Sequence, residues 1–261
     1  MKTKKINEVR KQIEYEYKRN SYPDGFPKIP DISGKRYTNQ EFFDLEFKNI
    51  FLKSWLMVFR EDEIPNHGDF KIFDKLQRDI LIVRQKDKNI KAFYNTCSHR
   101  GAPVVREKQG STKLLKCQYH SWAYDLDGSL LRVPDERDFL ELDLSCRGLK
   151  QVHCDTWDGW VFISLQDKDP GSLMEFLEPV ASEMDCFKSS ELITIWKNST
   201  LVKANWKTCL DAFMEVYHSP TIHKDTVNIL LDGNGMAAGL LKNGHPRMVT
   251  PKRINLDGGM L

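Results

Sequence analysis

Apolar residues first recur at helical spacing at Ile6, Val9, Ile13 and Tyr17, inside the highly charged residues 1–20. That pattern predicts a short amphipathic helix packed on a larger body. Residues 21–37 break it with Pro23, Gly25, Pro27, Pro30 and Gly34, and read as an extended connector. Thr38 then precedes Glu41 at the spacing of a capping box. Phe42, Phe43, Leu45, Phe47, Ile50 and Phe51 form a broad apolar face and predict a helix over 39–53. From Trp55 the period shortens. Residues 56–59, 69–73, 80–84 and 90–95 predict short strands, with a hairpin turn at 86–89. Leu114 and Leu115 open another run, and residues 123–131 turn on Asp127 and Gly128. Residues 132–155 read as irregular, and WDGWVFIS over 157–164 as one more strand. Residues 38–165 thus predict a small all-β domain with two projecting loops. Past Pro170, the apolar positions Leu173, Phe176, Leu177, Val180 and Met184 predict helix over 172–187, and residues 192–202 have strand character. There are no internal repeats and no low-complexity tracts.

Composition narrows the class. The chain has 261 residues, 40% hydrophobic and 29% charged, which is ordinary for a soluble globular protein of one large or two modest domains. A formal charge of +2 gives no reason to expect nucleic acid as a partner. The basic start MKTKK lacks the apolar region of a signal peptide, and no apolar run is long enough for a membrane span. Six cysteines are too few for a disulfide scaffold in a chain this long. Cys146, Cys154, Cys186 and Cys209 are expected to be reduced thiols, mostly buried, in the cytoplasm.

Residues 94–125 read YNTCSHRGAPVVREKQGSTKLLKCQYHSWAYD. Cys97 and His99 form C-x-H, and Cys117 and His120 form C-x-x-H, with seventeen residues between His99 and Cys117. Each pair puts a thiol and an imidazole on one short loop, where two donors sit close at little entropic cost. Two Cys and two His can hold a [2Fe–2S] cluster, with two Cys on one iron and two His on the other. They can equally hold a tetrahedral zinc.

The flanks bear on that choice. C-S-H-R-G-A-P-V followed by C-Q-Y-H-S-W-x-Y-D-L-x-G resembles the Rieske domain of the ring-hydroxylating oxygenase family. Arg100, Gly101, Ala102, Tyr119, Trp122, Tyr124 and Gly128 also stand where that family has them. The resemblance implies a [2Fe–2S] cluster on Cys97, His99, Cys117 and His120.

A second constellation lies in NWKTCLDAFMEVYHSPTIH, residues 205–223. Asp211, Glu215 and His218 fall at i, i+4 and i+7, one face of a helix that Pro220 is expected to end, with His223 a turn later. By itself a polar helix face with two His is equally a surface feature. After the first motif, H-x4-H preceded by an acid resembles the mononuclear iron site of the same family, and Asn205-Trp206-Lys207 matches its opening. The resemblance runs from about residue 40 to 225. It implies that His218 and His223 bind mononuclear Fe(II), as part of a facial triad of two His and one carboxylate. Glu215 stands where the family has a bridging acid, most often Asp. There it would join His218 to His120 of a neighbouring subunit in a homotrimer, as an electron path. Asp211 is expected to support or cap the helix and not to bind metal. Glu in place of Asp occurs in some monooxygenases of the family, so the reaction type stays open.

The family's third iron ligand, an Asp or Glu far downstream, has no counterpart. The chain stops thirty-eight residues after His223, Asp225 and Asp232 stand too close to it, and Asp257 falls in the terminal NLDGGML. The expectation is a C-terminally truncated chain, or a subunit completed by another. The implied fold class is α+β: residues 1–37 a helix and connector, 38–165 an all-β Rieske [2Fe–2S] domain, and 166–261 the beginning of a helix-grip (START-like) catalytic domain. The implied function is a mono- or dioxygenase that activates O₂ to hydroxylate or demethylate a small organic, often aromatic, substrate. Electrons would come from NAD(P)H through a separate reductase, with or without a ferredoxin. The alternatives are an electron-transfer module resembling a Rieske ferredoxin, or an inactive fragment, and a zinc-stabilised binding protein.

Overall fold

The computed structural model describes residues 3–23, 25–139 and 141–253. Helices and strands both occur, so the chain is α+β. In order, the helices are α1 (Thr3–Lys18), α2 (Lys35–Thr38), α3 (Gln40–Glu46), α4 (Leu173–Leu177), α5 (Val180–Met184), α6 (Trp206–Phe213), α7 (Ser219–Ile222) and α8 (Val227–Leu230). The strands are β1 (Trp55–Arg60), β2 (Asp69–Phe73), β3 (Ile80–Arg84), β4 (Ile90–Tyr94), β5 (Gln109–Ser111), β6 (Leu115–Lys116), β7 (Ala123–Tyr124), β8 (Leu130–Arg132), β9 (Gln151–Trp157), β10 (Trp160–Ser164), β11 (Ala237–Leu240) and β12 (Pro246–Val249). Two compact units contain them: residues 45–176 with 188–197, and residues 1–44 with 177–187 and 198–261.

The first unit is built on antiparallel strands. Seven form one sheet in the order β1-β10-β9-β4-β3-β2-β5, and β6-β7-β8 form a second of three. β3, sequence ILIVR, is buried at every position because both of its faces are covered. Its side chains alternate between two cores. Leu81 and Val83 join Phe70, Phe93, Tyr124 and Leu130. Ile80 and Ile82 join Phe59, Ile64, Val161 and Ile163. Arg84 ends the strand buried yet satisfied, donating to the carbonyls of Ile64, Lys88 and Glu61 and to the Glu61 carboxylate at 2.7–3.1 Å.

Several sequence expectations change here. The helix predicted over 39–53 is α-helical to Glu46 and continues as a wider π-turn over Phe47–Phe51. Its cap is Asn39, whose side-chain oxygen accepts from the Phe42 N–H at 2.8 Å, while Thr38 donates to Gly34. WDGWVFIS is not one strand. Asp158 and Gly159 both take positive φ (46° and 82°) and turn β9 into β10, with Trp157 opposite Trp160. That is the two-residue hairpin turn that Asp-Gly favours. The helix expected over 172–187 is split into α4 and α5 at Pro179, which has no N–H to continue the ladder. Residues 192–202 form no strand: no neighbouring strand pairs with them among the described residues, and Ile195 and Leu201 are 90% and 93% exposed. Of the four remaining cysteines, Cys146, Cys186 and Cys209 are exposed, against the expectation of burial, and all six are free.

Residues 188–197 are fastened by Arg60. Its guanidinium lies over the Trp160 ring at 5.0 Å and donates to Ser189 Oγ, Ser189 O and Leu192 O at 2.7–3.0 Å. Asp158 accepts the Ser189 and Ser190 N–H groups, and Asp62 accepts that of Thr194. Glu63 takes Lys197 and Lys71 together. Burial alone would raise the Glu63 pKa, but the Lys197 and Lys71 hydrogen bonds outweigh it and hold it below the usual carboxylate range.

In the second unit α1 buries Val9 and passes a Gln12 N–H to the Ala238 carbonyl of β11 at 2.7 Å. Glu183 on α5 is buried and ion-paired to Arg247 at 2.9 Å and Lys5 at 3.5 Å. β11 and β12 form an antiparallel hairpin.

Three outcomes follow. Arg60→Ala leaves two carbonyls without their charged donor and should cost about 2–3 kcal/mol in urea unfolding. Gly128→Ala should cost about 2–4 kcal/mol, from strain at φ 89° and a Cβ placed 2.4 Å from the Phe93 ring. Because the folded Glu63 pKa is depressed, its contribution is present above the unfolded carboxylate value of about 4.3 and is lost as pH falls through the folded value. Glu63→Gln should therefore flatten that part of the acid-unfolding curve and leave the curve near pH 8 parallel to the parent.

Candidate functional site

The two Cys–His loops have the same backbone design. In the first, the Cys97 N–H donates to Ala102 O at 2.8 Å and the Gly101 N–H returns to Cys97 O at 2.9 Å. In the second, the Cys117 N–H donates to Trp122 O and the Ser121 N–H to Cys117 O, both at 2.9 Å. Each loop reverses through a left-handed residue, Gly101 at φ 77° and Ser121 at φ 60°. Such a turn needs glycine in the first loop by preference, and the second holds a serine there at some conformational cost.

Neighbouring groups fix the loops. Asn95, buried at the end of β4, accepts the Val104 and Val105 N–H groups at 3.0 Å and donates to Val105 O at 2.8 Å. Ser98 Oγ donates to Gly148 O at 2.8 Å. The Tyr124 hydroxyl lies 3.1 Å from Cys97 Sγ and accepts the Ser98 N–H at 3.0 Å.

This scaffold brings the four donors together. Cys97 and Cys117 are 3% and 1% exposed and belong to the apolar core. The His99 and His120 rings are 4.7 Å apart, and His99 stacks on Trp122 at 4.7 Å. Burial, with the neighbouring Cys117, raises the Cys97 thiol pKa although Tyr124 and the His99 backbone lower it in part. Burial, then the nearby His120 and Arg100 charges, lower the His99 pKa.

These features fit a metal cluster. His99 Nδ1 is buried and has no protein hydrogen-bond partner. Two adjacent buried thiols ionise readily only beside a positive centre, which a metal provides. The two thiols neighbour each other and so do the two imidazole rings, a grouping that suits a two-iron cluster.

The second constellation lies in the other unit. α6 is capped by Asn205, whose Oδ1 accepts the Lys207 N–H at 3.0 Å, and it ends at Phe213. Glu215 and His218 therefore lie in the turn beyond the helix and not on its face. Pro220 begins α7 and does not end α6, since proline suits a first turn where its missing N–H costs nothing. His218 and His223 stand at the two ends of α7 with rings 5.2 Å apart. Glu215 wraps onto His218, one oxygen against Nδ1 and the other accepting the His218 N–H at 3.1 Å. That contact holds the Glu215 carboxyl below its usual range. A cavity of about 720 Å³ opens beside Glu215, lined in part by Tyr17, Arg19, Tyr217, Asn234 and Arg253.

Asp211 is not beside the histidines. Its Oδ2 accepts the Tyr37 hydroxyl at 2.8 Å, a contact across 174 positions that no local pattern announces. Asp232 accepts the Asn234 N–H and pairs with Arg253 at 3.5 Å. Asp257 lies outside the described residues.

Known proteins match in the same order. Residues 54–153 match the Rieske [2Fe–2S] domain, and residues 164–257 the ring-hydroxylating alpha subunit catalytic domain. The carnitine monooxygenase oxygenase subunit of Escherichia coli K12 is 31% identical over 74% of this chain and 52% of its own. The anthranilate 1,2-dioxygenase large subunit of Acinetobacter baylyi is 32% identical over 76% of this chain and 43% of its own. A naphthalene 1,2-dioxygenase structure aligns with TM-score 0.64 at 31% identity, over 71% of this chain and 43% of that one. A quaternary ammonium Rieske monooxygenase with L-carnitine aligns with TM-score 0.72 at 26% identity, over 78% of this chain and 58% of that one. The chain spans about half the length of the curated relatives it matches. With both family models matched in sequence order and such relatives aligned over about three quarters of it, the chain belongs to the Rieske ring-hydroxylating oxygenases, on the side of their alpha subunits.

Proposed function

We propose that this chain acts as the oxygenase component of a Rieske-type mono- or dioxygenase. In this reading residues 38–165 are the electron-transfer domain and residues 166–261 the first part of the catalytic domain. Cys97 and Cys117 would hold one iron of a [2Fe–2S] cluster, and His99 and His120 the other. His218 and His223 would hold a mononuclear Fe(II), in a site that takes a carboxylate as its third ligand. When bound, the cluster supplies single electrons and the Fe(II) supplies O₂ activation toward a small organic substrate. Electrons would arrive from NAD(P)H through a separate reductase, with or without a ferredoxin. Relatives named for carnitine and for anthranilate leave both quaternary ammonium and aromatic substrates open. Free cysteines fit a reducing cytoplasm.

One observation carries this reading. Glu215 seats its carboxylate on Nδ1 of His218, which fixes the proton there and leaves Nε2 free to bind metal. A pure electron carrier has no use for that arrangement. Glu215 is also partly exposed beside a cavity, so it can accept a second imidazole N–H from His120 of a neighbouring subunit in a homotrimer. The carboxylate would then orient both rings and link them. Tyr124 acts at the cluster end, where its hydroxyl favours the more negative sulfur.

Iron analysis with EPR of the dithionite-reduced chain tests the assignment. The parent should give an anisotropic Rieske signal and contain iron beyond the cluster pair. Cys117→Ser should lose the signal. His218→Ala should keep it and lose the additional iron and turnover. A colourless, zinc-loaded parent without signal would overturn the reading, and a signal with no additional iron would favour the electron carrier. Tyr124→Phe should keep the signal and shift the midpoint potential to a more negative value, as read by redox titration.

A further inference from the structure

α6 leads directly into Glu215 and His218, yet it has no buried residue. Leu210 and Phe213 on it are 44% and 79% exposed, so apolar burial does little to fix it. What grips it is a polar and aromatic cluster from residues 37–42 of the same compact unit. Asn205, its cap, donates from Nδ2 to the Tyr37 carbonyl at 3.1 Å. The Lys207 ammonium sits among three rings, 5.3 Å from Tyr37, 5.5 Å from Phe42 and 5.3 Å from Trp206. The Tyr37 hydroxyl reaches one turn further to Asp211 at 2.8 Å. Asp211 in turn accepts the Met214 N–H through its backbone carbonyl at 3.1 Å, at the step where the helix gives way to the Glu215 turn.

We propose that Tyr37 is a positioning residue for the His218–His223 pair, acting through Asp211 to set where α6 ends and the Glu215–His218 turn begins. The metal half of this inference rests on the function proposed above; the positioning of the turn does not. The chemistry favours a hydroxyl–carboxylate contact for the task. It is directional and needs only an acceptor oxygen at that place, whereas the ring contacts around Lys207 tolerate sliding. Asp211 thereby acquires a role distinct from capping, since Asn205 already caps the helix.

The test compares Tyr37→Phe, Asp211→Leu and Asp211→Asn in the full chain. Asn at 211 still offers an oxygen to the Tyr37 hydroxyl, so it should behave as the parent. Two readouts apply: amide exchange at Met214 and His218, and Co(II) affinity of protein without iron at the second site, read from the visible spectrum. Tyr37→Phe and Asp211→Leu should speed exchange at both amides and weaken Co(II) about fivefold, the loss of one ordinary hydrogen bond. β11 and β12 should exchange as in the parent. Unchanged exchange in Tyr37→Phe would overturn the proposal. So would equal acceleration across β11 and β12, which marks general loosening, or failure of Asp211→Asn to restore the parent rates. If the parent and His218→Ala bind Co(II) alike, the metal assignment of the preceding section fails, and the exchange rates alone decide the role of Tyr37.

Discussion

The constraint on which the rest depends is the placement of two thiols, Cys97 and Cys117, side by side in an apolar core. Burial disfavours the charged form of Cys97, and the neighbouring Cys117 adds to that. A buried dithiolate therefore has to be built around a positive centre, and the surrounding chain must hold the loops in place while that centre is gained or lost. The local architecture answers this demand with hydrogen bonds. Both loops close on their own cysteine backbones, Asn95 satisfies the return of the first loop, and Tyr124 and Ser98 tie it to the three-stranded sheet and to Gly148. β3, packed on both faces, gives the loops a rigid base.

The two halves of the chemistry are built differently. The Cys–His loops are anchored in a dense core. The histidine pair stands on a four-residue helix and a turn, behind a helix without buried residues. Its order comes from polar contacts: Glu215 on His218, and the Tyr37 cluster on α6. Polar contacts of this kind depend on direction and partner, so they define a geometry closely while adding modest stability.

Much of this was legible in the sequence, for reasons that differ by element. Strands β2 and β3 were read to their ends because an alternating run in the first and a continuous apolar run in the second are bracketed by turn residues. The two Cys–His loops were legible because the spacing that makes each of them is local. The β9–β10 hairpin was missed because Asp158-Gly159 sits between tryptophans and reads as a continuous apolar run, although Asp-Gly was itself the signal. The end of α6 was misplaced because three polar residues at helical spacing suggested a face, while Glu215 in fact turns back to its own backbone neighbourhood. Residues 192–202 carry the alternation of a strand without a partner strand among the described residues, and pattern alone cannot supply one. Tyr37 was invisible as a contact of Asp211, since only the folded chain brings them together.

Asn95 has a consequence for the lifetime of the protein. One amide side chain serves as acceptor to two N–H groups and donor to a carbonyl within the loop that bears Cys97 and His99. Asparagine ages by losing that amide nitrogen, and the resulting carboxylate has no donor to offer Val105 O. Two oxygens would then face each other 2.8 Å apart in a buried place, at a cost comparable to an unsatisfied buried group. The integrity of this loop, and so of whatever it holds, thus rests on one side-chain amide keeping its nitrogen.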